Sequence, residues 1–320
     1  MKRNTSILAL ALASAVAFTG CDKRDNFVLY EPGVKENVVQ VAQQNGLNLF
    51  ASAMQATGMD TTFQQLGQFT VFAPTDSAFQ AAGVTAASVN SMDKSVLRTL
   101  LRNHILSGRT LQASFLPGPN ATYQNLNREN LFVSVYNGQA FVNGFPVRRT
   151  DLIANNGVIH SIAGILAPAS VNFTTTLNRS ADSANLTFFQ AALVRANLVN
   201  SVNNPANVYT VFAPTNAAFQ AAGFADLNAI NNADPAVLSA ILRYHIITAT
   251  AAAPSGGRIF APDIRFRYTN PVNTLQGTPV TFTAAGGVRG TTNTADANVV
   301  RPNILYRNGV VHLIDRVLTP

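Results

Sequence analysis

The stretch Phe69-Thr70-Val71-Phe72-Ala73-Pro74-Thr75-Asp76-Ser77-Ala78-Phe79-Gln80-Ala81-Ala82-Gly83 returns 140 residues later as Tyr209-Thr210-Val211-Phe212-Ala213-Pro214-Thr215-Asn216-Ala217-Ala218-Phe219-Gln220-Ala221-Ala222-Gly223. Its local chemistry reads the same both times. An apolar strand over Thr70–Phe72 stops at Pro74, which has no N–H for a ladder. Thr75 and Asp76 can cap a short helix over Ser77–Ala82, and Gly83 offers a left-handed exit. A period of 140 in a chain of 320 residues is a domain duplication rather than a solenoid.

Two further anchors keep the order. Leu97, Leu100, Leu101 and His104 correspond to Leu238, Ile241, Leu242 and His245 at an offset of 141; Asn156-Gly157-Val158-Ile159-His160 returns as Asn308-Gly309-Val310-Val311-His312 at 152. The second copy therefore carries 11 extra residues between its last two anchors. Amphipathic helices open each unit at Leu49, Phe50, Ala53, Met54 and at Phe188, Phe189, Ala192, Leu193. A later helix starts at Asp93 and at Asp234, the latter followed by Pro235, which suits the first helical position. Leu131–Val135 and Gln139–Val142 read as a hairpin around Asn137-Gly138, and the two later Asn-Gly pairs mark the last hairpin of each unit. The expected class is α+β: two tandem domains, each a β-sandwich or wedge of mostly antiparallel strands with packed helices. The expected boundaries are a signal over 1–20, a polar stalk over 21–36, domains over 37–168 and 181–320, and a linker over 169–180.

These residues resemble the fasciclin domain, a fold of adhesion proteins in the extracellular matrix and bacterial envelope. The resemblance rests on Phe72-Ala73-Pro74-Thr75-Asp76 with Phe79, on Tyr244-His245, on the closing Asn-Gly-Val-Ile/Val-His, and on Ile314-Asp315 with Val317-Leu318-Thr319-Pro320. It covers about 130 residues in each copy. Asn103 stands where the family's Tyr precedes His104, Asn216 follows Thr215 where Asp is usual, and Ala163 replaces the acid found at Asp315. The resemblance implies partner-contact positions at Tyr244 and His245, at Asp151-Leu152-Ile153, and at Asn303-Ile304-Leu305. It marks Thr75, Asp76, His104, His160, Thr215 and His312 as structural motif residues.

All four histidines fall at duplicated places, which opens three readings: core rings satisfying buried backbone, a surface recognition role, or metal ligation. His104 shares a helical stripe with Leu97 and Leu100, and His160 alternates with Val158 and Ile162, so both point to the core. Equivalent catalytic sites should keep their partners, yet only Asp93 and Asp234 align among 15 acids, and both sit at helix N-caps. There is no Gly-x-Ser-x-Gly and no glycine-rich phosphate loop after a strand. The expectation is no catalytic residue, no metal and no cofactor.

Lys2 and Arg3 precede an apolar run, Ile7–Phe18, too short to span a membrane but suited to a signal peptide. It ends in Phe18-Thr19-Gly20-Cys21, which resembles a bacterial lipobox and holds the only cysteine. The expectation is export, acylation at Cys21 and membrane association through acyl chains only; an ordinary secretory signal is the plainer alternative. The formal net charge is +7 with only 12% charged residues. Scarce acids rather than abundant bases produce it, a poor footprint for nucleic acid. Asparagine, about one residue in ten, is expected to wet the surface. Beyond the signal, Asp22–Ala240 is neutral, and Ile241–Pro320 holds eight Arg against three Asp. Within it, Arg258–Tyr268 alternates Arg with apolar residues, so a strand would turn Ile264, Phe266 and Tyr268 inward and Arg265 and Arg267 outward. That face is either solvated or a contact for acidic polysaccharide. The expected function is non-enzymatic adhesion or scaffolding against a cell-surface or matrix protein. The alternatives are an envelope binding module for acidic glycan or a small hydrophobic ligand, and a hydrolase within one domain.

Overall fold

The computed structural model describes residues 34–63, 67–169, 171–179, 182–248 and 257–320. The signal, Cys21 and the stalk as far as residue 33 lie outside the described residues. The first domain runs α1 (Val38–Gln44), α2 (Asn48–Ala56), α3 (Met59–Phe63), β1 (Phe69–Pro74), α4 (Asp76–Ala81), α5 (Ala86–Ser91), α6 (Lys94–Asn103), β2 (Ile105–Ser107), β3 (Gly118–Gln124), β4 (Asn130–Tyr136), β5 (Gln139–Val142), β6 (Phe145–Ala154) and β7 (Gly157–Ile162). The second runs α7 (Phe173–Arg179), α8 (Thr187–Arg195), α9 (Val199–Asn203), β8 (Tyr209–Pro214), α10 (Asn216–Ala221), α11 (Leu227–Asn232), α12 (Pro235–Tyr244), β9 (Ile246–Thr248), α13 (Ala261–Phe266), β10 (Val272–Asn273), β11 (Pro279–Phe282), β12 (Val288–Arg289), β13 (Val299–Tyr306) and β14 (Gly309–Ile314). No helix among the described residues is long and apolar enough to cross a membrane.

Each domain is organised by the pairing of its first long strand with its last. β1 lies parallel to β7 with Phe72 opposite His160, and β8 lies parallel to β14 with Phe212 opposite His312. The remaining neighbours are antiparallel, giving the order β2-β1-β7-β6-β5-β4-β3 in the first domain. The second has β13-β14-β8-β9 plus a separate three-stranded β10-β11-β12 sheet. Because side chains alternate across a strand, β1 feeds two cores. Phe69, Val71 and Ala73 pack on the helices with Phe50, Met54, Leu97 and Leu101, while Phe72 packs on the opposite side with Phe115, Val133 and Val142. The second domain repeats this, with Val211 toward Phe189 and Leu242 and with Phe212 toward Ile264 and Val280.

Local capping chemistry sets the helix starts. Thr75 and Thr215 accept from the N–H of Ala78 and Ala218. Asp93 and Asp234 cap α6 and α12. The β4–β5 turn places Asn137 at φ 51° and Gly138 at φ 78°, the left-handed pair a two-residue hairpin requires. Gly157 and Gly309 have another purpose. They open the last strand rather than sitting in its turn, and a Cβ at either would run into the carbonyl oxygen of Phe69 or Tyr209 on the parallel neighbour.

One expectation is corrected here. The segment 169–180 is no bare linker: α7 docks Phe173 and Leu177, one turn apart, into the helical core of the second domain. Asn172 caps it through the N–H of Thr175, and three successive threonines conceal the helix from propensity. Asparagine wets the surface as expected, and it also has an interior role. Asn103, Asn125, Asn143, Asn156, Asn303 and Asn308 are buried. Asn308 alone donates to the carbonyls of Val202, Asn204 and Asn207.

Gly157→Ala is expected to lower unfolding stability by roughly 1–3 kcal/mol, the usual cost of overpacking. A urea midpoint within about 0.5 kcal/mol of the wild type, the range of a neutral surface change, would contradict the close-approach account.

Candidate functional site

The duplicated histidines form two kinds of pin. His104 and His245 follow α6 and α12 as their C-caps. Their Nδ1 donates to the carbonyl of Leu100 (2.9 Å) or Ile241 (2.8 Å) one turn back. Their Nε2 accepts from the N–H of Leu166 (2.9 Å) or Leu318 (2.8 Å), tying the domain's last segment to the helix. His160 and His312 use the opposite tautomer. Nε2 donates to Thr110 (2.9 Å) or Ile259 (2.7 Å), and Nδ1 accepts from the N–H of Asp151 or Asn303, both at 3.3 Å. A ring that donates with one nitrogen and accepts with the other is neutral. Burial pushes His104, His245 and His312 down to about 4 and lowers His160 as well. With both nitrogens engaged by backbone, these rings are closed to metal and to proton transfer at neutral pH. Among the described residues no group of three His, Cys, Asp or Glu could hold a metal ion.

The unmatched acids prove equivalent to the asparagines opposite them. Asp76 accepts from the N–H of Leu49 (2.9 Å) and Asn216 from that of Phe188 (3.0 Å), each closing the start of the opening helix. Asp151 accepts from Gln112 N–H and Asn303 from Ala261 N–H, both at 2.9 Å, and both residues adopt left-handed φ, 55° and 64°. They sit at bulges where the registers of β6 on β7 and of β13 on β14 shift.

The contact positions implied by resemblance meet different fates. Tyr244 and His245 are fully buried, which corrects their reading as partner-contact positions. The Tyr244 hydroxyl donates to Pro279 O (2.8 Å) and accepts from Thr291 N–H (3.0 Å). Asn103 fills the matching place by donating to Leu166 O and accepting from Asn125. Asp151, Leu152 and Ile153 are half-buried at the first bulge, with the Asp151 side chain 38% exposed. Asn303 and Leu305 are buried, and Leu305 shares a small core with Phe260, Val310, Phe132 and Ala169 that spans both domains.

The basic run 258–268 is also corrected. It forms α13, not a strand: Pro262 occupies the first turn and Asp263 accepts from the Phe260 N–H at 2.7 Å, a helix start. Ile264 is buried and Phe266 is 44% exposed, so the inward–outward alternation fails. Arg265 and Arg267 lie beside Phe266 and Tyr268 with guanidinium carbons 5.5 and 4.9 Å from the ring centres.

This segment is the domain junction. Asp263, completely buried, accepts from the Tyr136 hydroxyl of the first domain, and Asn120 adds a side-chain hydrogen bond. Burial pushes its carboxyl up, opposed by those donors and by Arg267. Phe266 packs on Tyr136 and Phe141, Phe260 on Phe132, and the Arg258 guanidinium covers Phe132 at 4.7 Å. Sequence reading missed the junction, although Phe-Ala-Pro-Asp as a helix start was available to signal it. Beside it lies a cavity of about 630 Å³ lined from both domains.

Among known proteins, the Fasciclin domain family model matches residues 45–168 and 184–320. Human periostin is 28% identical over 263 residues, covering 79% of this chain and 28% of periostin. A fasciclin-like arabinogalactan protein of Arthroderma benhamiae is 27% identical over 312 residues, 92% of this chain and 68% of that protein. The immunogenic protein MPB70 of Mycobacterium bovis is 29% identical over 189 residues, 55% of this chain and 86% of that protein. The solved FAS1 domain pair of the insect cell adhesion molecule Fasciclin I aligns at 17% identity and TM-score 0.41, over 87% of this chain and 98% of that one. Of the animal relatives the chain spans only a part, 28% of periostin and 21% of pig transforming growth factor-beta-induced protein ig-h3.

The histidine pins set an acid limit. The rings of His104, His245 and His312 stay neutral in the fold to about 4 but protonate near 6.5 once unfolded. Between those values the unfolded chain binds more protons, so stability is complete above pH 6.5 and is lost as pH falls toward 4, at about 1.4 kcal/mol per pH unit per histidine. Urea unfolding from pH 7 to 4.5 should show this steep fall; a flat profile would contradict it.

Proposed function

The chain belongs to the fasciclin domain family, and from that membership we propose that it is a non-enzymatic adhesion or scaffolding protein of a bacterial envelope, acylated at Cys21. Its partner is a cell-surface or matrix protein. The observation that carries the reading is the use of the duplicated polar residues: His104, His160, His245 and His312 spend both ring nitrogens on backbone, and Asp76 and Asp151 accept from backbone N–H as Asn216 and Asn303 do. Groups so engaged support contact by surface shape rather than chemistry at a reacting centre.

The two copies contribute unequally. At the second bulge Asn303 and Leu305 are buried, so the half-buried first, Asp151–Ile153, is the better contact surface. Asp151 is fixed there by its N–H to the His160 ring and its carboxylate to the Gln112 N–H, which limits the ordering cost of binding. An acidic polysaccharide partner loses its motivating geometry, because Arg265 and Arg267 do not line the outer face of a strand.

On intact cells, a photo-crosslinking residue at position 153 should capture a surface or matrix protein, and one at Leu116, 65% exposed in the same domain, should not. In the Cys21→Ala background the protein should leave the membrane fraction and lose incorporation of labelled acyl precursor. Equal capture from both positions would contradict the contact surface; retention of membrane association without acyl label would contradict the anchor.

A further inference from the structure

We propose that the cavity between the domains binds a fatty carboxylate, a single aliphatic chain with one acidic head. This goes beyond the adhesive reading and does not depend on it. The space, about 630 Å³, lies within the ~300–1,000 Å³ of small-molecule sites and occupies a domain boundary, where such sites concentrate. It is bounded by the end of α4, by the segment after β7 and by the bulged part of β13.

The lining specifies the body of the ligand. Ile165, Leu166, Pro168, Val171, Pro302 and Ile304 make it aliphatic. Phe145 is its one aromatic ring, so a stacking platform for sugars or nucleobases is lacking among the described residues. An alkyl chain fits this surface, at about 25 cal/mol per Å² of apolar area buried.

The polar groups specify the head. Asn143 and Asn303 commit their Oδ1 atoms to the N–H groups of Phe132 (2.8 Å) and Ala261 (2.9 Å), which leaves each an amide donor. Arg301 is held at one edge by Asp182, Nε to Oδ2 at 2.9 Å, with its side chain 42% exposed. That pairing orients the guanidinium while its terminal nitrogens remain available to a second carboxylate. Thr176 adds to the polar lining, and among the described residues no carboxylate lines the cavity itself. A donor-rich end beside an aliphatic slot recognises an acid on a chain.

The test uses the full mature chain with dodecanoate below its micelle concentration, dodecanol as the neutral analogue and glucuronate as the acidic sugar, each followed by calorimetry. Dodecanoate should bind saturably and glucuronate should not. Arg301→Gln should weaken dodecanoate at least tenfold and leave dodecanol within twofold. Ala81→Phe, placed on an exposed rim position where it fills the slot, should weaken both at least tenfold with the urea midpoint unchanged. Absence of saturable dodecanoate binding, equal loss for acid and alcohol in Arg301→Gln, or undiminished binding in Ala81→Phe would each overturn the assignment. None of these outcomes bears on the crosslinking at position 153.

Discussion

A buried imidazole must place one donor and one acceptor nitrogen, and each domain is closed by two that do so against backbone alone. The constraint acts at a distance in sequence. His104 joins the end of α6 to Leu166, 62 residues on, and His160 joins the last strand to Thr110 and to the Asp151 bulge. The parallel pairing of β1 with β7 sets His160 beside Phe72 and Phe115, in an apolar setting that favours the neutral ring. The second domain repeats each link with His245 and His312. The bulge is thus an anchored piece of the sheet.

The same economy explains why the acids of the two copies disagree. At Asp76/Asn216 and Asp151/Asn303 the fold needs an oxygen to accept a backbone N–H, and an amide supplies it as well as a carboxylate. Asn103 and Tyr244 show the same latitude with larger change, since both answer a buried backbone carbonyl from the end of a long helix. What distinguishes the copies is α13 with its buried Asp263. These residues tie the second domain to β4 and β5 of the first.

Much of this was legible in sequence because it is local. The Thr75 and Thr215 caps, the Asp93 and Asp234 caps, the Asn137-Gly138 turn and the inward His104 stripe all follow from residues within a turn of one another. The failures share a different origin. Alternation over Arg258–Tyr268 suits a strand, but Pro262 and Asp263 start a helix whose apolar partners Tyr136 and Phe141 belong to the other domain. Tyr244 stood out as part of a motif, and only its packing with Val272, Val280 and Val288 of the β10-β11-β12 sheet shows it to be interior. Phe173 and Leu177 looked like linker residues because their burial is supplied by β13 and α8. The cavity, assembled from segments far apart in the chain, has no sequence signature at all.

Nitrogen-15 spectroscopy of the four imidazoles tests the account most directly. At pH 7 it predicts neutral rings in two tautomers, with the proton on Nδ1 in His104 and His245 and on Nε2 in His160 and His312, none titrating near 6.5 in the folded protein. A histidine that protonates between pH 6 and 7, or a mixture of tautomers at any of the four, would contradict the claim that these rings fasten the fold and take no part in chemistry.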